Sequence, residues 1–278
     1  MSISRPIPIP STPLIRRAAA FQAALRRPDY RGLYLPAALV VLWSLATYFG
    51  WVDTRILVSP LETLKTAWHL LISKMLWVSL GYSLARDASG FLAGSIIGLL
   101  LGTLLGTSRL ADRLISPTFH AFKQIAVFAW IPLIAVWFGL GEPAKIAFIA
   151  LVVFPPVLLN TFDGIRSVSR DYIEVARAFE FSTLQQSLRV ILPAALPQIF
   201  TGLRLGLIYA WLATIGAEYF LKAAPGVGNI LIDGREKFLM DQVITGVAVV
   251  AAVGYVFHYL TARLEKRLLS WRTRTDVP

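Results

Sequence analysis

Six stretches of the chain, at about 33–52, 86–107, 121–140, 145–163, 194–220 and 242–263, are apolar over roughly the 20 residues a helix needs to cross ~30 Å of hydrocarbon. That pattern restricts the fold more than any other feature. The sequence reads as all-α and polytopic, with six transmembrane helices. A hydrophobic content of 56% and a mean hydropathy of +0.64 argue against a soluble helical protein. The third and fourth runs are separated only by Gly141, Glu142 and Pro143, and Pro155–Pro156 are expected to break the fourth.

The remaining segments are short. Residues 1–32 are Pro-rich, then basic and amphipathic, and suit a juxtamembrane stretch resting on anionic lipid headgroups rather than a signal peptide. Residues 53–85 read as a short interfacial helix and a lead-in to the second span, and 221–241 as a Gly-marked turn and a short amphipathic helix. The span region 33–263 is expected to form one domain with a loop at 164–193, followed by a basic tail at 264–278.

The net charge of +11 follows topology. With the N-terminus inside, 18 of the 27 Lys and Arg fall on the inner segments 1–32, 108–124, 164–193 and 263–278. This is the positive-inside bias of a membrane protein, with both termini cytoplasmic, and it removes nucleic acid as a partner. Cysteine is absent, and His69, His120 and His258 share no ligand spacing, so no metal site is expected. No G-x-x-x-x-G-K-[ST] phosphate loop occurs, so energy from ATP must reach this chain through another polypeptide.

In the second run Gly90, Gly94, Gly98, Gly102 and Gly106 recur every four residues. At 3.6 residues per turn they form one slowly drifting stripe, against which another helix can press backbone to backbone.

Between the fourth and fifth runs lies EVARAFEFSTLQQSLRVILP, from Glu174 to Pro193. Tyr172, Ile173, Ala176, Phe179, Leu184, Leu188, Ile191 and Leu192 give it an apolar side, while Glu174, Arg177, Gln185, Gln186 and Arg189 are polar. Ser182 can cap a second short helix, and Pro193 can begin the fifth span. The segment is either a helical hairpin joined rigidly to a membrane helix or a helix lying on the bilayer.

The stretch resembles the EAA loop of ABC-importer permeases. Glu174, Ala176, Leu192 and Pro193 match that pattern in register, Val175 and Val190 are mild changes, and Glu180 stands where the pattern has glycine. The turn at Glu180 is therefore expected to be made differently. The stretches GWVDTRILVSP, IPLIAVWFGLGEPAKI, NTFDGIRSVSRDYIEVARAF, ILPAALPQIFTGLRLGLIYAWLATIGAE and GVGNILIDGREKF extend the likeness over roughly 35–272 and resemble the sulfonate/taurine/nitrate branch. At 122–130, Ala126 and Phe128 occur where that branch has a proline near 126. The resemblance implies a type I importer (MetI-like) permease fold and a homodimer. It also implies two cytoplasmic subunits that bind ATP and Mg, and a periplasmic or lipid-anchored substrate-binding protein. Glu174, Ala176, Arg177, Glu180, Ser182, Leu192 and Pro193 would then form the coupling surface.

Candidate pathway residues are fewer. Arg204 lies eleven positions past Pro193, ~16 Å along a helix and near mid-membrane, where arginine is costly and calls for a partner. It either holds an anionic substrate or pairs with a carboxylate, Glu218 of the partner subunit or Asp163. Glu218 can gate or pair with Arg86. Trp130, Trp137 and Trp211 either line a path or belong to an interfacial belt. Asp233, Arg235, Glu236 and Lys237 form an outer charged cluster, solvated or facing the binding protein. A secondary transporter or channel would want paired intramembrane acids, and a membrane enzyme would want clustered His, Asp or Ser at membrane depth. Neither pattern is present.

Overall fold

The computed structural model describes residues 31–53, 56–221 and 225–268. Most of the N-terminal segment, most of the basic tail, Arg55 and Lys222 lie outside the described residues. The chain forms two compact units, 1–54 and 55–278. The first contributes helix α1 (Arg31–Tyr48), whose apolar part, Tyr34–Tyr48, is shorter than a full crossing helix.

In the second unit α2 (Pro60–Ile72) is the expected short helix. Ser59 caps it, accepting from Glu62 N at 3.3 Å, and Pro60 opens it where no N–H is needed. The lead-in after it is already part of α3 (Lys74–Thr107), a helix of 34 residues. Then follow α4 (Arg109–Phe122), a 3₁₀ turn (Val127–Trp130), α5 (Ile131–Phe138) and α6 (Glu142–Arg166). The chain continues through α7 (Arg170–Ala178), the single turn α8 (Thr183–Gln186), a π turn (Ser187–Ile191), α9 (Leu192–Phe220), α10 (Val227–Glu236) and α11 (Met240–Leu268).

Two expectations are corrected. The run 121–140 is not a straight span: α4 and the Val127–Phe138 segment meet at a 93° bend. Ala126 adopts an extended ψ of 128°, Pro132 cannot donate in the first turn of α5, and that helix of 8 residues reaches only ~12 Å. Conversely, Pro155–Pro156 do not break the fourth run, because α6 continues through them to Arg166. Neighbouring helices hold it straight, as happens at prolines in packed membrane helices, and Asn160 Nδ2 donates to the Pro156 carbonyl at 2.8 Å. Among the described residues four helices are long and apolar enough to cross a membrane, or five if the bent pair counts as one span.

The centre is α3 packed along α6, with α9 against both. The glycine stripe makes this fit possible. A Cβ on Gly94 would stand 2.6 Å from the Ala150 carbonyl, on Gly98 2.8 Å from that of Phe154, and on Gly102 2.7 Å from that of Leu158. Each step of four along α3 meets a step of four along α6, so the two helices run parallel in strict register. Gly202 and Gly206 do the same for α9, where added Cβ atoms would meet Asn160 Cβ at 2.7 Å and Val157 at 2.9 Å. Phe148, Ile149, Val153, Val157, Ala210 and Ala217 are fully buried between them.

Candidate functional site

The hairpin foreseen between the fourth and fifth runs is present. Ser169 starts α7, its hydroxyl accepting from Asp171 N at 3.3 Å. Ser182 caps α8 in a full capping box, with Ser182 Oγ taking Gln185 N at 3.3 Å and Gln185 Oε1 taking Ser182 N at 2.9 Å.

The turn between them corrects an expectation. Glu180 adopts φ 57°, the left-handed conformation that glycine takes most easily. Phe181 N donates to Ala176 O at 3.1 Å and Glu180 N to Arg177 O at 2.9 Å, the paired bonds of a Schellman turn. The substitution thus leaves the turn intact and adds only local backbone strain. Phe238 repeats the arrangement after α10, with φ 56° and Leu239 N bonded to Gly234 O at 2.7 Å.

From Thr183 to Phe220 the chain is one helical path of 38 residues. Pro193, at the expected position, has no N–H to give, and the π turn just before it accommodates the loss, with Leu192 N reaching Ser187 O. On the hairpin Ala176 is buried and Ile173 half-buried, but Tyr172, Val175, Phe179, Leu184 and Leu188 are between 56% and 73% exposed. Glu174 and Arg177 stand exposed on the same helix. The apolar side expected from the sequence is therefore divided evenly: Ile173, Ala176, Ile191 and Leu192 are buried or half-buried, and Tyr172, Phe179, Leu184 and Leu188 face outward.

At the other end of α9 lies a buried charge cluster. Arg86 Nη1 donates to Glu218 Oε1 at 2.6 Å, and its Nε and Nη2 grip Glu142 at 2.5 and 2.6 Å. Ser83 Oγ donates to Glu218 Oε1 at 2.6 Å, and Gly228 N to Glu218 Oε2 at 2.8 Å. Lys145 Nζ, fully buried, lies 3.8 Å from Glu142 Oε1. Alongside, Thr214 Oγ1 donates to Asp87 Oδ1 at 3.2 Å. The start of α10 closes over this cluster, and any side chain at Gly226 would collide with the Glu218 carboxylate. The foreseen Arg86–Glu218 pair is thus formed, whereas Glu142, Lys145, Asp87 and Ser83 were missed. The stripe carried the missing signal: Arg86 lies four residues before Gly90, so it shares the face that meets α6, and the register of Gly90 with Ile146 and Ile149 places Glu142 and Lys145 opposite it.

The other pathway candidates are dispersed. Arg204 Nη1 binds Glu265 Oε2 of the same chain at 3.1 Å, and its Nη2 lies 3.4 Å from His258 Nδ1, so within the chain its carboxylate is Glu265 and not Asp163. Trp211 is buried, edge-on to Phe257 at 5.6 Å, and fastens α9 to α11 through a 3.0 Å bond to Val250 O. Trp130 stacks near Phe122 at 4.9 Å, and Trp137 is exposed on α5. In the outer charged group Arg235 donates to the Tyr219 hydroxyl, and Glu236 and Lys237 are exposed. Among the described residues no group of three His, Asp or Glu could hold a metal ion.

Comparison with known proteins places this geometry. Residues 94–270 match the family described as binding-protein-dependent transport system inner membrane component. The putative aliphatic sulfonates transport permease protein of Bacillus subtilis (strain 168) is 38% identical over 242 residues, 87% of each chain. Its Escherichia coli (strain K12) counterpart is 39% identical over 238 residues, 86% of this chain and 90% of that one. The bicarbonate transport system permease protein of Synechococcus elongatus is 35% identical over 195 residues, 70% of each. Among solved structures, the inward-facing MetNI methionine ABC transporter superposes with a TM-score of 0.60 at 21% identity, over 70% of this chain and 99% of that one, a likeness of fold.

Proposed function

The chain belongs to the family of binding-protein-dependent transport system inner membrane components, and on that premise we propose that it is the permease subunit of an ATP-driven importer for a small anion of the aliphatic sulfonate type. One observation carries this reading. A capped amphipathic hairpin presents Tyr172, Val175, Phe179, Leu184 and Leu188 outward and continues without a break into the membrane helix α9. An exposed apolar face on so short an element needs an occupant, and the occupant here is a cytoplasmic ATP-binding subunit.

Two copies of the chain pair in the inner membrane, with both termini cytoplasmic as the Lys and Arg distribution favours. Each engages one ATP-binding subunit, which holds ATP and Mg. A periplasmic or lipid-anchored binding protein delivers the anion at the opposite face, near α10. Closure of the ATP-binding subunits pushes on Glu174–Pro193, tilts α9 and turns the path between subunits from inward- to outward-facing. ATP hydrolysis resets it. The bicarbonate permease relative supports bicarbonate as the second choice of cargo.

The test is to purify the tagged chain from its native membrane in mild detergent and identify what accompanies it. A stoichiometric ATP-binding subunit is expected, and Glu174→Lys should lose it while the chain still inserts and elutes as before. A chain that comes out alone and passes anions in ATP-free liposomes would end this reading.

A further inference from the structure

The bend after α4 creates a site that neither the hairpin nor the charge cluster uses. A cavity of about 280 Å³ lies there, walled by Phe122, Trp130, Pro155, Pro156 and Tyr209, with Lys123 at its edge. Its depth follows from the helices beside it. Arg166 Nη2 and Asp112 Oδ2, 2.5 Å apart, tie the end of α6 to the start of α4. From that tie the helices climb ten residues to Phe122 and twelve to Phe154, ~15 and ~18 Å, and there the two rings meet at 5.7 Å. Lys123 follows immediately. It therefore sits level with the middle of α6, a helix of 25 residues, and not at the membrane surface where a straight span beginning at 121 would have placed it.

A lysine at that depth is expensive and ordinarily has a partner or a ligand. Arg204, at a comparable depth, has Glu265. Among the described residues Lys123 has no carboxylate within 4.0 Å. The opposite wall is formed by Leu151, Val152, Pro155 and Pro156. Pro155 and Pro156 cannot donate to the carbonyls of Leu151 and Val152, the residues four before them, and both of those residues line the cavity. Tyr209 completes the lining, and Lys123 is the one charged residue among the residues that line the cavity.

We propose that this cavity is a transient substrate subsite inside the membrane, taking a small anion with an apolar body. The acid group meets the Lys123 ammonium, and the body lies against Phe122 and Trp130. The volume, just under the ~300–1,000 Å³ of ordinary ligand pockets, suits a compact molecule.

The inference rests on the proposed function but is tested without the ATP-binding subunit, so the two can fail separately. The full chain is placed in nanodiscs of zwitterionic lipid, and 4-fluorobenzenesulfonate is titrated while its fluorine NMR line width is followed. Broadening beyond that with empty discs is expected for the natural chain and for Lys123→Arg. For Lys123→Met, which should elute and melt as the natural chain does, the affinity should fall roughly tenfold or more, the size of one charge-assisted contact. Equal binding by Lys123→Met would overturn the assignment. So would failure of the probe to bind together with an anionic lipid that co-purifies with the natural chain and is lost in Lys123→Met, because the occupant would then be a headgroup.

Discussion

The two ends of α9 are built on opposite principles. Near Phe220 the carboxylate of α9 points inward: Glu218 is fully buried, held by Arg86, Ser83 and Gly228, and covered by α10. Near Leu192 the helix runs through a π turn into a hairpin whose larger side chains face away from the bundle. One end is anchored by groups that cannot be left alone in a low-dielectric interior, and the other is left free to be gripped. A rod fixed at one end and handled at the other transmits a push as a tilt.

The anchored end is the place to break this contrast. Arg86→Met removes the guanidinium from the buried Glu218 carboxylate and from the half-exposed Glu142, and breaking a buried pair costs about 3–5 kcal/mol. A large fall in melting temperature in detergent is expected, and an unchanged one would show that the cluster anchors nothing. A smaller loss is expected at mid-length. Gly98→Leu drives a side chain into the Phe154 carbonyl and Val157, and overpacking of this kind costs about 1–3 kcal/mol. Its melting temperature should fall less than that of Arg86→Met, and a fall no greater than that of a change at the exposed Leu100, Leu100→Ala, would argue against tight α3–α6 contact. The free end should respond least, and in the opposite direction. Glu180→Gly relieves a left-handed glutamate and should stabilise by about 0.5–1 kcal/mol, with the ATP-binding subunit still co-purifying. A destabilised Glu180→Gly would mean that the glutamate side chain, and not the backbone, shapes the turn.

Features governed by local rules were legible in the sequence. Ser182 announced its capping box, Pro193 the start of α9, and the fourfold glycine spacing a close helix contact. Features governed by how segments meet were not. Pro155–Pro156 read as a break because isolated helices yield at proline, whereas a helix clamped between two others does not. The run 121–140 read as a span because composition fixes apolarity and not direction, whereas a 93° bend separates α4 from the Val127–Phe138 segment. The charge cluster joins residues near 86, 142 and 218, and only the α3–α6 register brings them together. The Arg86–Glu218 pair was foreseen because Arg86 opens the second run and Glu218 closes the fifth, which puts both on the outer side of the expected topology. The Arg204–Glu265 pair was not foreseen, because Glu265 approaches Arg204 only once α11 lies beside α9.

The glycine stripe also bears on how the protein is made. Gly90 finds its complement in Ile149, about 60 residues later in synthesis, so at ~5–20 residues per second α3 waits roughly 3–12 s before the surface that fills its groove exists. During that interval five side-chain-free positions and the nearby Arg86 and Asp87 must be sheltered by lipid or by the insertion machinery. The nascent chain is thus most vulnerable to mispairing and quality-control proteolysis between the emergence of α3 and that of α6. Slowing translation within that window should lower the yield of folded protein more than slowing it anywhere after Arg166.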